Sequence, residues 1–473
     1  MAQRWIVLIV LLGLFGICTD TVIGREGHIQ PYKKNPRYWQ YQGQPVLLLG
    51  GSKDDNLFQI PNLRRHLEEM AAVGANYIRN TMSSRKDGGF EIQPYRKLAN
   101  GNYDLNQWNP EYWWRFEFLL KWTFREDIVV QIELWDRFDY SREHWKGNPW
   151  NPYENSNYTS KETGLARLYP KHPGSNEHPF FHTVPGMETY KKQYDAIRVH
   201  QERFVKKLLS YTLQYGHVLY CMNNETSGSP KWGQYWMDFI QREAGRRRVV
   251  VYTTDMFDHG FAPAKSAVIQ KQIRTPEVYS FVDISQVNSR NFNEDHWDQL
   301  MWYHQHVRAH VRPLTNTKIY SAGETSWGSG TPVDGVERFW RNLISGCSSS
   351  RFHRPTSGIG LNDIAKASIK SARLLETHVR FWEVEPHMEL LREREQDEAY
   401  IAARPGQAYV LFFTDGGSVG LNLQDAEGLF DVHWIQISKA EYGPKGQVSG
   451  NRIVPLTPPD QGPWVAALVR KRR

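Results

Sequence analysis

Two glutamates stand where a chain could do acid–base work. Glu225 closes the apolar run HVLYCMNNE and Glu324 closes KIYSAGE, and each is followed by Thr-Ser. Either alone reads as a strand-end carboxylate in a surface ion pair. Together, at the ends of two separate buried strands, they read as a catalytic pair. One carboxylic acid protonates a leaving oxygen, and the other carboxylate attacks or activates water. Cleavage of a glycosidic bond needs that division of labour. Glu133, Trp135 and Asp136 close a third apolar run, IVVQIELW. Asp255, Asp258 and His259 follow a fourth, RVVVYTTDM. These side chains suit sugar hydroxyls, which charged groups hold through short hydrogen bonds. Asp255, Asp258 and His259 also read as metal ligands, but no second cluster at ligand spacing accompanies them. No metal and no cofactor is therefore expected. The chain has no phosphate loop, dinucleotide fingerprint or GxSxG elbow.

The elements that must position these residues alternate along the chain. The strands read as PVLLLGG, ANYIRN, IVVQIELW, HVLYCMNNE, RVVVYTTDM, VYSFVDISQ, KIYSAGETS and SGCSSSRFH. Between them lie helical stretches that include IPNLRRHLEEMAAVGA, NPEYWWRFEFLLKWTFRED, PKWGQYWMDFIQREAG, HWDQLMWYHQHVRAHV, VERFWRNLISG and DIAKASIKSARLLETHV. Several strands are apolar on both faces, as strands of a buried parallel sheet are. Eight such units predict a (β/α)₈ barrel over residues 25–382, an α/β fold whose chemistry sits at the C-terminal ends of the strands. The connection from Asp136 to about Gly174 is long and rich in Pro, Asn, Tyr and Trp, and reads as a wall of the cleft. After Trp382 the pattern changes to AYIAARPG, QAYVLFFTDGGSVGLNL, VHWIQISKAEYG and PWVAALVRK. This alternation with turn signals predicts a small antiparallel β-sandwich over residues 383–473.

The chain resembles the clan A glycoside hydrolases, the cellulase-like and mannanase-like barrels. They share Asn-Glu at the end of strand four and Glu at the end of strand seven. The resemblance covers roughly residues 40–380. It implies that Glu225 is the general acid/base, Glu324 the nucleophile, and Asn224 the holder of a sugar 2-hydroxyl. It also implies a retaining outcome, with carboxyls about 5–5.5 Å apart. Arg79, in NYIRN, matches the clan's arginine beside the nucleophile. The clan's Tyr on strand six and Trp on strand eight are missing. Asp283, Ser285 and Gln286 stand at the first position, Phe352 and His353 at the second, and Trp327 is the substitute sugar platform. The C-terminal stretch resembles the small β-domain commonly labelled collagen-binding, for which packing or carbohydrate contact is the expected role.

Composition bounds the remaining readings. Of 473 residues, 13% are aromatic, including 18 Trp, and such rings suit the apolar faces of sugars. The formal charge of +7 comes from short runs such as Arg246, Arg247 and Arg248. An organised basic face for nucleic acid is not among them. MAQRWIVLIVLLGLFGICTD has the charged start and short apolar run of a secretory signal peptide, here residues 1–24. Lipid attachment at Cys18 fits poorly, because Phe15, Gly16 and Ile17 precede it. A secreted or periplasmic protein with a polysaccharide or oligosaccharide partner is expected. The alternative is a non-catalytic carbohydrate-binding or adhesion protein on the same barrel.

Overall fold

The structure is a computed structural model that describes residues 27–85, 88–321 and 328–471. Its first part is a closed ring of eight parallel strands: β1 Leu48–Gly51, β2 Tyr77–Thr81, β3 Val129–Asp136, β4 Val218–Asn224, β5 Thr253–Thr254, β6 Val282–Asp283, β7 Leu314–Thr315 and β8 Ser349–Phe352. Continuous ladders join β2, β3, β4 and β5 in that order, β6 to β7, and β8 to β1. Single backbone bonds close the gaps. Asn76 donates to Leu49 (2.8 Å), Ser280 to Thr253 (2.9 Å) and Ser348 to Leu314 (2.8 Å). The Gly-Gly of β1 is required by this closure. A Cβ on Gly50 would sit 2.0 Å from the Tyr77 carbonyl oxygen, and one on Gly51 would sit 2.2 Å from that of Gly360.

Each strand is followed by a helix: α1 Leu63–Ala72, α2 Pro110–Arg125, α3 Asp195–Thr212, α4 Pro230–Arg246, α5 Ala267–Arg274, α6 Asn293–His306, α7 Pro332–Ile344 and α8 Asp363–Glu376. Their starts are written locally. Asn109 accepts from the Glu111 amide with Pro110 in the first turn, and Thr331 forms a reciprocal capping box with Asp334. The expected barrel is present, with two adjustments. Helices α3 and α5 add to the six stretches read from the sequence. Strand seven begins earlier than KIYSAGETS: its ladder lies at Leu314–Thr315, and Ile319 then bridges to Phe352. Between these, side chains replace the ladder, as when the Asn316 amide donates to Ser349 Oγ (2.7 Å).

The end of the barrel at the strands' N-termini is sealed. A three-stranded ribbon of residues 30–31, 39–41 and 44–46 lies against it. Its Trp39 is fully buried with Leu48, Tyr77, Val129, Leu219 and Phe281, residues from where the strands begin. The other end is open.

The C-terminal part is two antiparallel sheets: β9 Glu385–Pro386, β10 Leu391–Arg392, β11 Ala399–Arg404, β12 Ala408–Phe413, β13 Val419–Asn422, β14 Leu429–Gln436, β15 Glu441–Ser449, β16 Ile453–Leu456 and β17 Trp464–Arg470. The larger sheet runs β9-β11-β12-β17-β14-β15 and the smaller β10-β13-β16. Side chains alternate between two cores. Ile401, Leu411 and Phe413 face the smaller sheet, whereas Tyr400, Val410 and Phe412 join the core of the barrel. Phe412 stacks on Trp340 of α7, and ion pairs Arg341–Asp397 (2.8 Å) and Arg394–Glu294 (2.7 Å) flank that joint. Among the described residues, no helix is long and apolar enough to cross a membrane.

Candidate active site

The open end of the barrel holds a cavity of about 680 Å³. Glu225, the residue after β4, lies on its wall with φ +52°, in left-handed backbone that costs a non-glycine residue energy. Two neighbours from beyond β7 hold its carboxylate. Lys318 donates to Oε1 at 2.5 Å, and the Tyr320 hydroxyl donates to the same oxygen at 2.5 Å. Burial alone would raise this carboxyl. The Lys318 ammonium and the two hydrogen bonds outweigh it and bring the pKa down to about 2. Glu225 is therefore a carboxylate in the resting site, the opposite of the raised value expected of a general acid.

Lys318 also donates to Asn224 Oδ1 at 2.5 Å, while Asn224 Nδ2 donates to Asp136 Oδ2 at 3.0 Å. Asp136 in turn accepts from Arg85 and from the Phe138 amide. Behind this shell runs a second charge network. Arg79 is fully buried and lies between Asp55, with which it forms a tight ion pair, and Glu133 (2.7 Å). Burial would raise Asp55, but Arg79, with Arg354 and Lys318, holds it well below the usual carboxylate range. Asp258, also on the cavity wall, is raised by burial and by the charge of Glu225.

The residues read from the sequence fall into four groups. Glu225, Asn224, Arg79, Gln286 and His353 line the cavity. His353 packs edge-on to Tyr320 with ring centroids 4.7 Å apart, and burial keeps it neutral. Asp136 does not line it, and acts one step back through Asn224 and Arg85. Glu324 and Trp327 lie outside the described residues. Two readings are corrected. Trp135 is a core side chain: the connection after β3 folds back over it, and Trp150, Phe180 and Trp236 surround its ring. Asp255 does not line the cavity and is sealed against Gly233 of α4, where it accepts from Asn223 Nδ2 (2.9 Å) and the Asn223 amide (3.1 Å). Burial pushes its carboxyl up to about 7. Asp255, Asp258 and His259 thus do not converge, and among the described residues no group of three such side chains is placed to hold an ion. The connection after β3 does wall the cleft, through Phe138, Arg142 and His172.

Sequence reasoning missed Lys318, Tyr320, Asp55 and the cavity arginines other than Arg79. The signal for the first two was present. A lysine two residues before a tyrosine, in an otherwise apolar barrel strand, places both on one face, and a buried ammonium demands a partner.

No protein-family model and no curated protein matches the sequence. Solved structures do. A glycoside hydrolase family 5 structure from Bacteroides vulgatus superposes with a TM-score of 0.64 at 12% identity, covering 94% of each chain. A second, described as a glycoside hydrolase, gives 0.65 at 11% identity, covering 95% of this chain and 98% of the other. Coverage of that extent takes in the C-terminal sheets as well as the barrel. At these identities the likeness is one of architecture: the chain has the fold of a glycoside hydrolase barrel followed by a β-sandwich.

Proposed function

We propose that the protein is an exported glycoside hydrolase, cleaving an O-glycosidic bond of a polysaccharide or oligosaccharide with Glu225 and Glu324 as its carboxylate pair. The observation that carries this reading is the setting of Glu225. It is a partly buried carboxylate at the end of the fourth strand, on the wall of an open cavity, gripped by two side chains from the seventh strand's continuation. In a retaining cycle Glu225 serves first as acid and then as base. The resting carboxylate is the base form. The acid step requires Lys318 to release Glu225, and Asn224 Oδ1, which the same ammonium already reaches, gives it a place to rest. Glu324 is the nucleophile in this scheme. Asn224, Gln286 and His353 contact sugar hydroxyls, and Arg79 and Asp136 set the charge and orientation of the residues in front of them.

The Lys318–Glu225 pair also favours a second reading, a carbohydrate-binding barrel without turnover, because an ammonium that never leaves would keep the acid disarmed. Hydrolysis of a panel of aryl glycosides and polysaccharides separates the two. The intact protein turns over at least one substrate, and Glu225→Gln and Glu324→Gln each lose activity by about 10²–10⁴-fold, the range typical of a positioned acid–base group. Rescue of Glu225→Gln by azide assigns the acid/base. A broad panel without turnover, with sugar binding equal in all three proteins, sinks the hydrolase and leaves the binding protein.

A further inference from the structure

Not every cation around the cavity is held in an ion pair, and the unpaired ones are exposed. Of the lining carboxylates, Asp55 and Glu225 have cations on hand, while Asp258 is raised by burial and by the charge of Glu225. Asp55 faces Arg79 and Arg354 (3.1 Å), and Glu225 faces Lys318. Arg85 is matched by Asp136 (3.0 Å) and Asp139 (3.5 Å). Arg142 and Arg290 also line the cavity, are exposed, and have no carboxylate partner among the described residues. They come from opposite parts of the ring, Arg142 from the connection after β3 and Arg290 from the one after β6. Arg142 is held at φ +53°, its amide donating to the Tyr169 carbonyl at 2.7 Å. Its strained backbone is fixed in place by the connection that walls the cleft.

We propose that this cavity takes an anionic saccharide, with Arg142 and Arg290 receiving a carboxylate or sulfate substituent at its mouth. A guanidinium presents a planar fork that matches either oxyanion. Phe138 and Phe261, which also line the cavity, offer apolar faces to the ring that carries the charge. A neutral glucan or mannan offers neither guanidinium group an oxyanion to pair with.

The inference rests on the glycoside hydrolase reading, and the test keeps the two apart. Calorimetric titration of the full protein with trigalacturonate, a sulfated galacto-oligosaccharide and cellotriose, at low and moderate salt, is run beside hydrolysis of the same compounds. One of the anionic compounds binds at least about tenfold more tightly than cellotriose, and added salt weakens it. Which of the two binds identifies the anion as uronate or sulfate. Arg142→Gln with Arg290→Gln weakens it about tenfold, the scale of a lost charged hydrogen bond. The double lysine variant recovers part of that loss. Arg246→Gln with Arg247→Gln, at the end of α4 on the sealed side of the barrel, leaves binding unchanged. Cellotriose binding as tightly as both anions, no binding of either anion, or equal loss in the α4 variant overturns the inference. Turnover of a neutral sugar in those cases leaves the hydrolase intact. Tight, mouth-dependent binding of an anion with no turnover of any sugar supports the inference while the hydrolase reading falls.

Discussion

The two ends of the barrel are made of opposite materials. At the sealed end Trp39 lies edge-on to Phe281 and Tyr252, with ring centroids 5.4 and 5.7 Å apart, in a plug of hydrocarbon. At the open end the same strands carry Arg79, Glu133, Asp55, Lys318 and Glu225, most of them as buried as the tryptophan. Hydrocarbon burial stabilises regardless of its partners' protonation. A buried ion pair is at best near break-even against a hydrophobic replacement, yet breaking one strands its partner. Stability explains the sealed end. The open end needs another explanation, and the proposed glycoside hydrolase supplies one, in which its charges serve the reaction.

The largest expected effects test this contrast directly. Trp39→Ala removes a fully buried ring and should cost about 3–5 kcal/mol. Arg79→Leu leaves Glu133 without its ion-pair partner and Asp55 with Arg354 alone, and should cost about 3–5 kcal/mol as well. The two losses differ in how pH changes them. Without Arg79 the two carboxyls rise in the folded state, so protonation relieves the strain and the deficit shrinks as pH falls below neutral. The Trp39→Ala deficit stays constant, and the folded variant keeps its activity. Denaturant titrations at several pH values check both. A Trp39→Ala deficit that tracks pH, or an Arg79→Leu deficit that ignores it, would erase the distinction between the two ends.

Lys318→Met should move less stability and more chemistry. In the intact protein the folded pKa of Glu225, about 2, lies below its unfolded value of about 4.3. Its contribution to stability is complete above that unfolded value and is lost as pH falls toward 2. Removing the ammonium leaves burial as the main influence, so the carboxyl rises above its unfolded value. Stability then improves as pH falls through the range where the folded carboxyl takes up its proton. In the pH–rate profile, the limb that reports Glu225 shifts to higher pH. A variant with an unmoved limb would mean that Lys318 does not set the charge of Glu225.

The sequence made the strand–helix alternation legible because buried parallel strands must be apolar and the helices between them amphipathic. Glu225 was legible as a carboxylate ending such a strand. The pairing with its partners was not: the spacing of Lys318 and Tyr320 puts both on one face, but no local pattern says that they reach Glu225 across the ring from beyond β7. Trp135 misled for a related reason. It ends a strand as a site residue would, but the connection after β3, which reads as open cleft wall, also roofs it with Trp150 and Phe180. That connection runs on to α3 at Asp195, whose buried Ile197, Phe204, Val205 and Leu208 do show helical spacing.

Asp255 is the mildest test, and it asks whether a strand-end position alone makes a site. Its folded pKa of about 7 lies above the unfolded carboxylate value of about 3.9. As a charge it therefore costs stability, increasingly so as pH rises from about 4 to 7. Asparagine in its place keeps an oxygen for the Asn223 and Met256 amides, both of which donate to Oδ1. The new amide nitrogen would face Asn223 Nδ2, but Asn223 Oδ1 is buried without a partner. Turning the Asn223 amide over pairs that oxygen with the new donor. The turn also leaves Asn223 Nδ2 where the oxygen had no partner, so Asp255→Asn should cost about 1–3 kcal/mol near neutral pH, the penalty of one buried unsatisfied donor. It should lose the gain in stability that the parent shows as pH falls from 7 to 4, and it should leave kcat and KM unchanged. A raised KM would return Asp255 to the sugar-binding surface, and with it the idea that every polar residue at the open end belongs to the site.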